Sequence, residues 1–151
     1  MLRLAPHPEG GWYREVYRAR RRVETTPQAP RRCAVTQIYY LLRGGEHSRW
    51  HRIDADEVWH FYQGTGLTLV TIDRRDRRVV KTRLGPPGRG HRPLAVVGAG
   101  RWQAASVERG YALVGCTVAP GFTFDRFELL AENRRARTGL GKVLGRFSRL
   151  L

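Results

Sequence analysis

Lysine is nearly missing from this 151-residue chain. Of 28 basic side chains only Lys81 and Lys142 are lysines; the other 26 are arginines. A surplus of that kind arises wherever arginine fills exposed polar positions, so the net charge of +15 does not by itself make the chain a nucleic-acid binder. Cysteine is scarce too. Cys33 and Cys116 lie far apart among apolar or small neighbours, which excludes paired-cysteine zinc spacing and predicts two buried free thiols in a reducing compartment. No apolar run approaches the ~20 residues of a membrane-spanning helix. Residues 1–11 are too short and polar for a secretory leader. A cytoplasmic location is therefore expected.

Seventeen glycines and eight prolines are spread along the chain, as many turns between short strands require. Strands are predicted over 10–18, 34–42, 48–53, 57–62, 67–73, 79–84, 94–97, 102–107 and 111–118, from alternation and from β-branched and aromatic content. The arginine-rich stretch 20–32 reads as an exposed loop, and residues 73–78 (DRRDRR) as a charged hairpin tip. Strands recurring about every ten residues, with no helical period before residue 128, predict an all-β sandwich or barrel. The division expected is a β domain over 1–131 and a basic amphipathic tail over 132–151. In that tail Leu140, Val143, Leu144, Phe147, Leu150 and Leu151 fall on one helix face. The tail does not account for the charge, because residues 1–131 still hold 22 basic against 12 acidic side chains. Docking of the tail on the barrel is the expected outcome; lying on an anionic lipid surface or a nucleic acid is the alternative.

Polar chemistry concentrates in residues 48–64, SRWHRIDADEVWHFYQG. Alternation puts Glu57, Trp59 and Phe61 on one face of a strand, and His51 in phase with Arg49 and Ile53 on the strand before it. A hairpin between the two would set His51 beside Glu57 on the concave side of a barrel. Asp54 and Asp56 suit the connecting turn. His7 and His91, each next to a proline, read as inert loop residues, and His47 as an exposed turn residue.

The spacing His51, Glu57, Gly64 resembles the first motif of the cupins, His-x-His-x3-Glu-x6-Gly in their metal-binding members. A second motif falls on Gly98-Ala99-Gly100, with Gln103 where those members carry a histidine. The blocks PHPEGGWYREVYR, IYYLL, VVGAGRWQAA and LVGCTVAPGFTFDRFEL, in order, are similar to one cupin subfamily without an agreed reaction that includes a small yeast cupin. This resemblance implies a double-stranded β-helix, the jelly-roll barrel, with a pocket in each barrel and a homodimeric assembly. The four metal-ligand positions would be His51, Ile53, Glu57 and Gln103, of which only two are good ligands.

The leading expectation is a small-molecule-binding cupin that works without a metal as an isomerase, epimerase or lyase. His51 would be base or acid, Glu57 would tune it, and Gln103 would bond the ligand. Tyr13, Glu15, Tyr39, Ser48, Trp59 (or Trp50), Phe61 and Trp102 are the expected further lining. No cofactor is expected. A divalent metal on His51 and Glu57, as in an oxygenase-type cupin, is the second reading. A non-enzymatic module that binds nucleic acid or anionic lipid through its basic surface is the third, disfavoured because no aromatic-basic interleaved strand appears.

Overall fold

The computed structural model describes residues 2–26, 28, 30–73, 77–88 and 90–150, without the side chains of Lys142 and Arg146. Two antiparallel sheets face each other. The six-stranded sheet runs, in spatial order, Ala5–Pro6, Trp12–Arg18, Thr36–Arg43, Tyr111–Ala119, Asp56–Gly64 and Leu94–Val97. The five-stranded sheet runs Phe127–Leu129, His47–Ile53, Trp102–Ser106, Leu67–Ile72 and Val79–Leu84. Sequence neighbours repeatedly sit in opposite sheets, as in a jelly roll, and the expected fold class holds. The stretch 20–32, expected as loop, contributes a small ribbon of Arg22–Val23 against Arg32–Cys33. The expected hairpin tip lies outside the described residues over 74–76. No described helix is long and apolar enough to cross a membrane.

The barrel is filled at one end and open at the other. Along Thr36–Arg43 every second side chain points inward; Tyr40 and Leu42 join the packed end with Trp59, Leu69, Val97 and Val114. Thr36 and Ile38, on the same face, line an opening. Where Tyr111–Ala119 meets Asp56–Gly64 a bulge falls at Tyr62, and the strand ends on Gly64, whose φ is +113°. A Cβ there would lie 2.0 Å from the Tyr111 carbonyl oxygen, so only glycine fits.

Behind the five-stranded sheet lies a second apolar cluster. Trp50, Val70, Ile72, Trp102 and Ala104 point outward from their strands and are covered by Leu130, Leu140, Leu144 and Leu150. The helix Arg134–Leu144 starts at Asn133, whose side chain accepts the Ala136 N–H. Trp50 Nε1 donates to the Phe147 carbonyl at 3.0 Å. The described apolar residues of the tail thus pack against the barrel.

Candidate active site

The open end of the barrel is a cavity of about 370 Å³. Its walls come from five strands, the segment before Trp12, and the residues following Ala119. Among the expected residues, Tyr13, Glu15, His51 and Glu57 line it. Tyr13 and Glu15 pair in register with Tyr40 and Ile38, so they share the inward phase.

The remaining expected residues sit elsewhere. Trp59 and Phe61 have the inward phase but belong to the packed end. Tyr39 is one residue out of phase and meets Tyr62 on the outer face of its sheet. Trp102 faces the C-terminal helix. Ser48 accepts the Ala105 N–H at 2.9 Å in the packed interior. Gln103 is fully buried beneath the cavity floor; its Nε2 donates to Glu57 Oε2, and its oxygen accepts from Trp59 Nε1 at 3.1 Å. It supports Glu57 and does not line the cavity. A bulge sets His51 and Ser48 opposite Gln103 and Ala105, giving one strand an extra residue; that is how Ser48 and His51 both turn inward while Trp50 turns out.

The residue that sequence reasoning missed is Glu9. It is buried, and its Oε2 lies 3.2 Å from His51 Nε2 and 3.6 Å from His7 Nδ1. Gly10 and Gly11, both at positive φ, let the chain turn there; a Cβ on Gly10 would lie 2.5 Å from the His47 carbonyl oxygen. His47 itself is half-buried at the start of its strand, not exposed in a turn. The Glu9 carbonyl accepts from Arg49 N at 2.7 Å, which ties this segment to the strand carrying His51. His7, expected to be inert, also lines the cavity. It meets Tyr13 edge-on at 4.5 Å, and its Nδ1 accepts the Glu9 N–H at 3.2 Å. Phe122, Phe124 and Phe127 complete an aromatic wall, with Phe127 stacked on His51 at 5.4 Å. Forty-one residues separate Glu9 from His51 in sequence, and the glutamate's own surroundings, a turn signal, gave no sign of the contact.

Hydrogen bonding fixes the proton positions. His51 Nδ1 lies 2.8 Å from the Arg49 carbonyl, so Nδ1 carries the proton and Nε2 is left as an acceptor. Burial pushes the His51 pKa down, against the charge of Glu57 and the bond to Arg49. A neutral His51 needs a donor on Nε2, and Glu9 provides one if its carboxyl is protonated. Burial raises the Glu9 pKa to about 8, against the Tyr40 hydroxyl and Arg49. Burial also raises the Glu57 pKa, opposed first by His51. Burial, and secondarily His51, lowers His7 to about 3, so His7 stays neutral. Cys116, on the same wall, is a free thiol pushed up by burial. The site thus holds two buried carboxyl groups that burial pushes toward the protonated form, Glu9 against a neutral imidazole and Glu57 against the Gln103 amide.

A family model described as Cupin superfamily (DUF985) matches residues 1–130. The chain belongs to this cupin family. A hypothetical protein from Leishmania major is similar at 31% identity, covering 96% of this chain and 93% of that one, with a TM-score of 0.82. A Shewanella oneidensis protein of known structure is 37% identical over 95% of this cupin and 90% of its own chain, with a TM-score of 0.78. Oxalate decarboxylase from Bacillus subtilis shares the fold at 17% identity, covering 97% of this chain and 37% of that chain, with a TM-score of 0.60. No curated protein matches.

Some cupins carry a metal at the four positions that here are His51, Ile53, Glu57 and Gln103. The residues of this cupin do not fit that centre. Ile53 offers no donor atom. The Gln103 amide is engaged at both ends, with its N–H directed at Glu57. The metal-facing nitrogen of His51 is engaged by Glu9. Among the described residues no three His, Cys, Asp or Glu side chains are grouped as a metal would need.

Proposed function

We propose that this cupin binds a small organic molecule in its cavity and moves a proton on it, as an isomerase, epimerase or lyase that needs no metal. The observation that carries this reading is the contact of the Glu9 carboxyl with His51 Nε2 at 3.2 Å, beside the second buried carboxyl of Glu57, on the wall of a largely apolar cavity. Two buried carboxyl groups with different partners, one on an imidazole and one on an amide, are a basis for an acid/base pair. In this reading Glu57, as carboxylate, takes a proton from a carbon next to a carbonyl. The Glu9–His51 pair gives one to the carbonyl oxygen. Return of the two protons to new positions completes the isomerisation, and no electrons change hands. Gln103 positions Glu57, and the aromatic wall excludes water. The exposed apolar side chains Tyr62, Leu94 and Val96 on the outer face of the six-stranded sheet support a homodimer. The two free buried thiols support a cytoplasmic working place.

The test is proton exchange in D₂O, followed by NMR over a panel of small carbonyl compounds. Wild-type protein is expected to wash deuterium into the α position of at least one of them, at a rate unchanged by a chelator. A panel with no exchange above the uncatalysed rate, or exchange that a chelator abolishes, contradicts the proposal.

A further inference from the structure

A second groove, of about 840 Å³, opens next to the cavity, and Arg18 and Thr123 border both. Six arginines line it: Arg18, Arg20, Arg22, Arg31, Arg32 and Arg126. Among the described residues two carboxylates, Asp54 and Asp125, share the lining. Arg32 spends its charge on Asp54 at 2.8 Å, and Arg126 on Asp125 at 3.3 Å. Arg18 is held by Glu15, and Arg31 by Glu24. Arg20 and Arg22 meet no carboxylate among the described residues; the Arg22 guanidinium donates to the Arg31 carbonyl at 2.7 Å. The arginine-rich stretch is thus folded into a ribbon, Arg22–Val23 against Arg32–Cys33, that brings surplus positive charge to the groove beside the cavity.

We infer that this groove is an anion subsite that takes the phosphate of a phosphorylated ligand, whose organic part occupies the cavity. This rests on the function proposed above and names its substrate class. One guanidinium satisfies a carboxylate. Several guanidiniums around one concavity match a group with three or more oxygens and more than one charge, and planar guanidinium forks suit phosphate. The shared border at Arg18 and Thr123 lets one molecule reach both spaces.

The probes are inorganic pyrophosphate and phenyl phosphate, titrated calorimetrically into the full chain. Pyrophosphate is expected to bind, and to bind more weakly as salt rises from about 50 to about 200 mM. The double variant Arg20→Ala/Arg22→Ala should weaken it at least about tenfold. Both side chains are exposed and neither leaves a carboxylate unpaired, so the variant should melt as the wild type does. Phenyl phosphate should bind more tightly than inorganic phosphate, because its ring enters the cavity. Glu57→Gln should leave pyrophosphate affinity unchanged, which separates failure of the groove from failure of the proton chemistry. Absence of pyrophosphate binding at low salt, or a double variant that binds as well as wild type, overturns the inference. An oligonucleotide of about ten nucleotides that binds far more tightly than phenyl phosphate, through the same two arginines, overturns it in favour of a nucleic-acid strand.

Discussion

Glu57→Gln is expected to lower the proton-exchange rate by about 10²–10⁴-fold, the usual worth of a positioned general base. The substitution is nearly isosteric. Its amide oxygen can still accept the Gln103 N–H that now reaches Glu57, so the floor of the cavity stays in place. What disappears is basicity. Wild type should also lose rate as pH falls, because burial has raised the pKa of Glu57 and its carboxylate form is consumed earlier than an exposed glutamate's would be. That acidic limb should be missing from the residual rate of the variant. A variant that keeps the wild-type rate would remove Glu57 from the chemistry.

The second large effect is on stability and concerns Glu9. An amide at position 9 reproduces the protonated acid, because it can donate an N–H to His51 Nε2. Below pH 4.5, where the carboxyl is protonated both folded and unfolded, Glu9→Gln and wild type should differ by a constant amount. Between pH 4.5 and about 8 the folded protein keeps a proton that the unfolded chain has released. Wild-type stability contributed by this group therefore falls with rising pH, by about 1.4 kcal/mol per pH unit. Above about 8 the loss is complete, on the order of 5 kcal/mol across the window. The variant has no such slope. His7, lowered to about 3, acts the other way: its contribution is present above pH 6.5 and is lost as pH falls towards 3. That term is common to both proteins and cancels in the difference. Urea unfolding at half-unit pH steps should show the variant gaining on wild type steadily up to pH 8; parallel curves would mean that Glu9 is not a buried acid.

Much of this architecture was legible in the sequence because period-2 alternation reports which side of a sheet a residue faces. It put His51 and Glu57 on the same side, and the structure brings both to one cavity. It could not report depth along the barrel. Trp59 and Phe61 share the phase of Glu57 yet lie in the packed end, while Glu57 stands at the opening. Tyr39 shows the cost of a one-residue phase error, since its neighbour Tyr40 is the inward residue. Ser48 and His51 could not be reconciled by simple alternation, because a bulge lies between them. Trp50 and Trp102 look like pocket aromatics in a polar stretch. They face outward because the C-terminal helix, whose apolar seam was readable, needs a surface to cover. Glu9 and the Phe122–Phe127 wall reach the site by non-local contacts that no local pattern encodes. The charge of +15 was legible as a number only; the fold decides that part of it gathers in a groove beside the cavity.

The most direct test is the titration of the Glu9 carboxyl carbon by ¹³C NMR, assigned by its absence in Glu9→Gln. Protonated at neutral pH and hydrogen-bonded to a neutral His51, it should titrate at about pH 8 and show no transition between pH 3 and 6. A transition in the ordinary carboxylate range, or broadening and displacement of the signal on adding a stoichiometric divalent metal, would contradict a metal-free acid paired with an imidazole.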